Sequence, residues 1–176
     1  MSVFTDQFAA DPLDPISAMF KFLWVRFDNE PELSSLIKVG NRITFVTRQN
    51  VPKENISQGD VPEVMLTFPS VRLSGMDSTN DAIAILGRWT VTSGTQQFYN
   101  QLTHPMWLIH VLMRRIEEEG PPDLGLPNLE LDMLELPSEI PFGYLDPGLN
   151  KGMIGYATTF DFRANLHYNR RSAYNV

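Results

Sequence analysis

The stretch from Ile154 to Tyr168 constrains this chain more than any other. Ile154, Tyr156, Thr158, Phe160, Phe162, Ala164, Leu166 and Tyr168 alternate with Thr159, Asp161, Arg163, Asn165 and His167. A period of two over that length puts every apolar side chain on one face of a β-strand. A strand this long with one apolar face requires a sheet to cross and a layer of packing material on one side of it.

Further periodicities supply the rest of that sheet and its cover. Asp14-Pro15 opens a helix, with Asp as N-cap and Pro in the first turn. Ile16, Met19, Phe20, Leu23 and Phe27 recur at helical spacing on its buried face, and Phe22, Trp24 and Val25 widen the apolar surface. Pro31 interrupts it, and 32–37 adds a short second helical piece. Strands are expected at 42–47, at 63–68 with Pro69 as its stop, and at 81–93. The polar residues 48–60 read as a long hairpin loop between the first two. A second main helix is expected over 105–119, carried by Leu108, Ile109, Val111, Leu112 and Ile116. The order implies an α+β fold: a mixed or antiparallel sheet of four strands or slightly more, covered by two main helices. The 176 residues fit a single domain, with 1–13 as an extension.

Composition narrows the function classes. The chain has no cysteine, which removes disulfides and thiolate chemistry, and its net charge of −7 is unsuited to clustered phosphate contacts. No apolar run is long enough for a membrane-spanning helix, and the first residues lack the pattern of a signal peptide. His104 and His110 are six apart and point to different sides of a helix, so they do not form a metal pair. His110 reads as a flank or interface residue. The run Asp77-Ser-Thr-Asn-Asp81 starts like a calcium loop but has Ala82 at the sixth position and Arg88 at the twelfth, so it reads as a turn. Gly148 to Gly155 lacks the strand and helix that flank a phosphate-binding loop. Glu117, Glu118 and Glu119 are consecutive and fan around their helix. No nucleophile, base and oxyanion donor combine, so neither an enzyme nor a cofactor site is expected.

Residues 120–153 are different. Six of the chain's 13 prolines fall there, beside Leu124, Leu126, Leu129, Leu131, Met133, Leu134, Leu136, Ile140, Phe142, Leu145 and Leu149. Proline keeps such a segment extended while leucines demand burial, the chemistry of an arm laid across a surface. Leu129 to Leu136 has the character of a short strand. Between Glu117 and Asp146 there are nine acidic residues and no Lys or Arg, whereas the chain end carries Arg163, Arg170 and Arg171. Acidic arm and basic strand end are expected to meet between subunits, or else the arm folds back over its own domain. The candidate interface residues are Leu126, Leu129, Met133, Leu136, Phe142, Arg163, Arg170 and Arg171. Replacing 121–150 by a short Gly/Ser link is expected to spare folding and abolish assembly.

The helix Asp14-Pro-Ile-Ser-Ala-Met-Phe-Lys-Phe-Leu23 and Asn41-Arg-Ile-Thr-Phe45 resemble segments of tail terminator and tail completion proteins of long-tailed bacteriophages. Arg88-Trp-Thr-Val-Thr-Ser-Gly94, Pro105-Met-Trp-Leu-Ile109 and the closing alternating strand are similar too. The resemblance lies in element order, and the arm departs from the family's compact pattern. It implies a structural virion protein, assembled in the host cytoplasm. Such a protein forms a ring, a hexamer, that caps the tail tube and docks to the neck or head connector. DNA passes through the ring without specific binding, and an acidic bore would repel phosphate. A neck or head-closure protein is the nearest alternative. A small-molecule-binding or hydrolytic α+β domain, and a cytosolic adaptor using the leucine-rich arm, are the readings from other classes.

Overall fold

The computed structural model describes residues 11–38, 41–45, 62–74, 80–93, 102–140, 142–145 and 155–169. Among these residues three helices and six strands make an α+β fold: α1 Pro15–Asp28, α2 Pro31–Leu36, β1 Arg42–Phe45, β2 Glu63–Ser74, β3 Asn80–Ser93, α3 His104–Glu118, β4 Leu129–Glu135, β5 Phe142–Leu145 and β6 Gly155–Asn169. The sheet order is β1-β2-β3-β6-β4, and β5 also pairs with β6. Each neighbouring pair along β2, β3, β6 and β4 is antiparallel, and β1 joins β2 in parallel, so the sheet is mixed.

The parallel pairing corrects the hairpin expected between the first two strands. Arg42 pairs with Val64 and Phe45 with Thr67 in the same direction. Parallel neighbours require a crossover in place of a tight turn. All of 48–60, and residues 77–79 of the calcium-like run, lie outside the described residues.

Pro69 does not stop β2 either. The strand continues to Ser74 across a register shift: Thr67 opposes Arg88 and Ser70 opposes Leu86, leaving Phe68 and Pro69 opposite Gly87. Proline lacks a ladder donor and is tolerated where an extra residue interrupts pairing. On its other side Gly87 faces Phe162, and a Cβ added to Gly87 would lie 2.0 Å from Phe162 Cζ. The glycine gives the Phe162 ring its place in the core.

The core lies between one sheet face and the helices. Asp14 caps α1, its Oδ1 accepting from the amides of Ile16 and Ser17, each at 2.9 Å. The helix then delivers Met19, Phe20, Leu23, Trp24 and Phe27 inward. Phe20 stacks on Phe68 at 3.8 Å between centroids, and Trp24 meets Trp89 edge-on at 5.2 Å. From β6, Phe160, Phe162, Ala164 and Leu166 enter the same core, as their alternation requires. Helix α3 contributes Met106, Ile109, Leu112, Met113 and Ile116.

Arg42 is the unexpected member of this core. Its side chain is only 2% exposed and forms an ion pair with Asp28 at the end of α1. It donates to the Ile37 carbonyl from Nε at 3.2 Å and Nη2 at 2.9 Å, and its guanidinium lies 5.2 Å from the Phe27 ring centroid. One planar fork thus satisfies a carbonyl left open at the end of α2 while neutralising Asp28.

The segment 120–140 is joined to this same domain. Gly120, at φ 83°, ends α3 in the left-handed conformation favoured by glycine. Leu124, Leu129, Leu131 and Leu134 are buried in the chain's own core. β4 and β5 run in line along one edge of β6. Glu135 opposes Arg163 and Phe142 opposes Thr158, so residues 136–141 span what β6 covers with 159–162. The excess of two residues over β6, in a stretch that includes Pro137, interrupts the edge. Deleting 121–150 would therefore remove core leucines and two strands, and folding would not survive it.

Candidate functional site

The second face of the sheet carries the chain's most distinctive surface. Alternation on β2, β3 and β6 that sends Leu66, Trp89 and Phe160 to the helices sends Thr67, Arg88 and Asp161 the other way. At one end of this face Glu63, Thr67, Thr90 and Thr92 are buried. Burial pushes the Glu63 carboxyl up to about 7. In the middle, Arg88 and Asp161 oppose each other on neighbouring strands and form a two-pronged ion pair, Nε to Oδ1 at 2.5 Å and Nη2 to Oδ2 at 2.7 Å. The hydrogen bond to Asp161 raises the Arg88 pKa further, against a smaller opposing effect of burial.

Beyond that pair the face opens to solvent. A groove of about 460 Å³ is lined by Ser70 and Arg72 of β2, Ala84 to Leu86 of β3, Met133 and Glu135 of β4, and Arg163 and Asn165 of β6. A second of about 440 Å³ adjoins it, where Leu136 and Pro137 leave the sheet beside Asp161 and Arg163. Both combine apolar lining residues with charges of both signs. Met133 is 43% exposed and Leu73, at the outer edge of β2, is 59% exposed. A third hollow of about 330 Å³ separates the end of α3 from β4.

The eight interface candidates are distributed unevenly. Met133, Leu136 and Arg163 come together at the two adjoining grooves. Leu129 is buried in the core, and Leu126 is partly buried and packed against that same core. Phe142 begins β5 opposite Thr158, with no description of its side chain, and Arg170 and Arg171 lie outside the described residues. Arg163 sits 3.9 Å from Glu135 of the same chain, so part of the expected charge match between arm and strand end forms within one molecule. Both side chains are largely exposed, and such a pair contributes little to stability.

The helix-borne charges are also paired within the chain. Glu117 accepts from Arg114 at 2.7 Å, and Glu119 pairs with Arg26. Those arginines offset the unfavourable placement of glutamates at a helix carboxyl end. His104 Nε2 lies 2.8 Å from Glu32 Oε1. His110 stacks on Trp107 and meets Phe160 edge-on, at 5.8 and 5.4 Å between centroids. Burial, and then the charge of Arg114, lower its pKa, against the opposing pull of Glu117. Among the described residues no group of three or more His, Asp or Glu is placed to hold a metal ion, and no helix is long and apolar enough to cross a membrane.

Sequence reading missed Arg72, Leu73, Leu86 and Trp107. Pro69 hides the first two, although Val71-Arg-Leu73 continues the alternation of a strand. Trp107 is 60% exposed on a helix whose periodicity marks only its inward side. Comparison with protein-family models and with curated proteins finds no match.

Proposed function

We propose that this chain is a structural assembly protein that associates with copies of itself into a ring, and that its most specific role is that of a tail terminator. In that role the ring caps the tail tube of a long-tailed bacteriophage and joins it to the neck. The observation that carries the self-association is the open end of the sheet. Exposed Met133 lines a broad groove together with Ala84, Leu86, Arg72, Glu135 and Arg163, and exposed Leu73 stands at the adjacent outer edge of β2, on the sheet's other face. Interfaces are built from such apolar centres ringed by paired charges. The grooves are shallow and shared among four strands, a shape suited to a protein surface and not to enclosing a small molecule. The resemblance in element order supplies the more specific role, and a net charge of −7 suits a ring through which DNA passes unbound.

Light scattering across a concentration series, with negative-stain imaging of the same samples, tests this reading. Closed rings, alone or stacked, are the expected result. A strict monomer at high concentration, both alone and with purified tail-tube protein, would overturn it. Retention of tail-tube protein by the ring would separate a terminator from a head-closure protein, which would retain the portal-side complex instead.

A further inference from the structure

The sheet has two edges at its open end, and they match. β1 covers only Val64 to Thr67 of β2, so the outer edge from Ser70 to Ser74 has no strand beside it among the described residues. At the opposite side of the sheet, β4 is the last strand among the described residues. An uncovered strand edge presents a row of backbone donors and acceptors to any extended chain that reaches it.

We infer that the β4 edge of one copy pairs with the Ser70–Ser74 edge of β2 in the next copy, extending the sheet from subunit to subunit; this rests on the ring reading above. Direction supports the match. From β2 through β3 and β6 to β4 each step is antiparallel, so β2 and β4 run in opposite senses. A second copy placed alongside by rotation about a ring axis sets its β2 antiparallel to the first copy's β4, and the alternation continues unbroken. Such a head-to-tail contact is heterologous and closes into a ring when the rotation permits.

Side-chain rows support it as well. Leu73, Ile83, Leu166 and Leu131 form one cross-strand row on the core side, and Arg72, Ala84, Asn165 and Met133 form one on the open side. Joining the edges returns the core-side row from Leu131 to the next copy's Leu73, which is exposed in the single chain. Charge selects this pairing over β4 with β4. The exposed side chains of β4 include Glu130, Asp132 and Glu135, which would repel an identical strand. Arg72 has no ion pair among the described residues and stands on the matching edge.

Sedimentation velocity on four full-length chains decides the matter: the natural sequence, Arg72→Glu, the triple variant Glu130→Lys/Asp132→Lys/Glu135→Lys, and the chain combining all four substitutions. Arg72→Glu and the triple variant are each expected to weaken association on the order of tenfold or more. The combined chain, its charges exchanged, is expected to regain assembly, which a merely damaged fold would not do. Assembly of Arg72→Glu at the natural strength, or a combined chain that stays dissociated, overturns the edge pairing while leaving the ring intact. A natural chain that never assembles overturns the ring reading and this pairing together. Hydrogen exchange on the natural chain gives a readout independent of variant folding. Amides of 70–74 and 129–135 are expected to slow on assembly, and unchanged exchange there contradicts the pairing.

Discussion

The two faces of one sheet are made by the same strands and serve different ends. On the helix side, Trp24, Phe27 and Trp89 interlock, with Phe27 and Trp89 stacked at 5.8 Å, and this side even takes in the charged Arg42 once its partners are complete. On the far side, burial is confined to the end that holds Glu63, Thr90 and Thr92, while Arg72, Met133, Glu135 and Arg163 remain in water. Close packing on one side supplies the stability that leaves the other side free to remain imperfectly covered. Association surfaces have this character: enough apolar area to gain by docking, and enough charge to stay soluble before it.

The difference can be broken from the core side first. Arg42→Ala leaves Asp28 and the Ile37 carbonyl without their partner in a dry setting. It is expected to lower stability by about 4 kcal/mol, read from urea unfolding. Arg42→Lys should recover little of it, because a point charge cannot reproduce the planar fork. A loss near that of an exposed ion pair would show that the core does not depend on this clamp.

Glu63 gives a smaller effect with a definite sign. Its folded pKa is near 7 against an ordinary 4.5, so the folded chain holds the proton more tightly between those values. Stability attributable to Glu63 is therefore present below pH 4.5 and is lost as pH rises through 7. The full difference is about 3 kcal/mol. Glu63→Gln should remove this fall, making the variant more stable than the natural chain at pH 8 but little changed at pH 4. Parallel pH profiles for the two chains would mean that the carboxyl is not held in a buried setting.

What could be read from the sequence follows the reach of each signal. The alternation of β6 and the Asp14 cap of α1 depend on residues within one element, and both stand as expected. The fate of Pro69 depends on the strand across the sheet, where a register shift between Thr67 and Ser70 leaves it opposite Gly87, so a proline considered alone is misleading. The burial of Arg42 depends on Asp28 and Ile37, which approach only once α1 and α2 have packed. Leucines at 124–134 declared a need for burial, and their spacing does not say in which molecule. The fold places Leu129, Leu131 and Leu134 at home, which leaves Met133, between them in sequence, as the exposed residue of the candidate site. Leu73 continues an alternation that Pro69 conceals, and Trp107 carried no signal beyond exposure itself, which only a folded chain has.

The most direct test of the contrast between the faces combines two readouts on one double variant, Leu73→Ser/Met133→Ser. Both side chains are substantially exposed in the single chain, so urea unfolding at low concentration should change by less than about 0.5 kcal/mol. Light scattering at high concentration should show assembly weakened severalfold. A variant that loses stability as Arg42→Ala does, yet assembles like the natural chain, would contradict the account, because the open face at Met133 and the uncovered β2 edge at Leu73 would then belong to the fold and not to association.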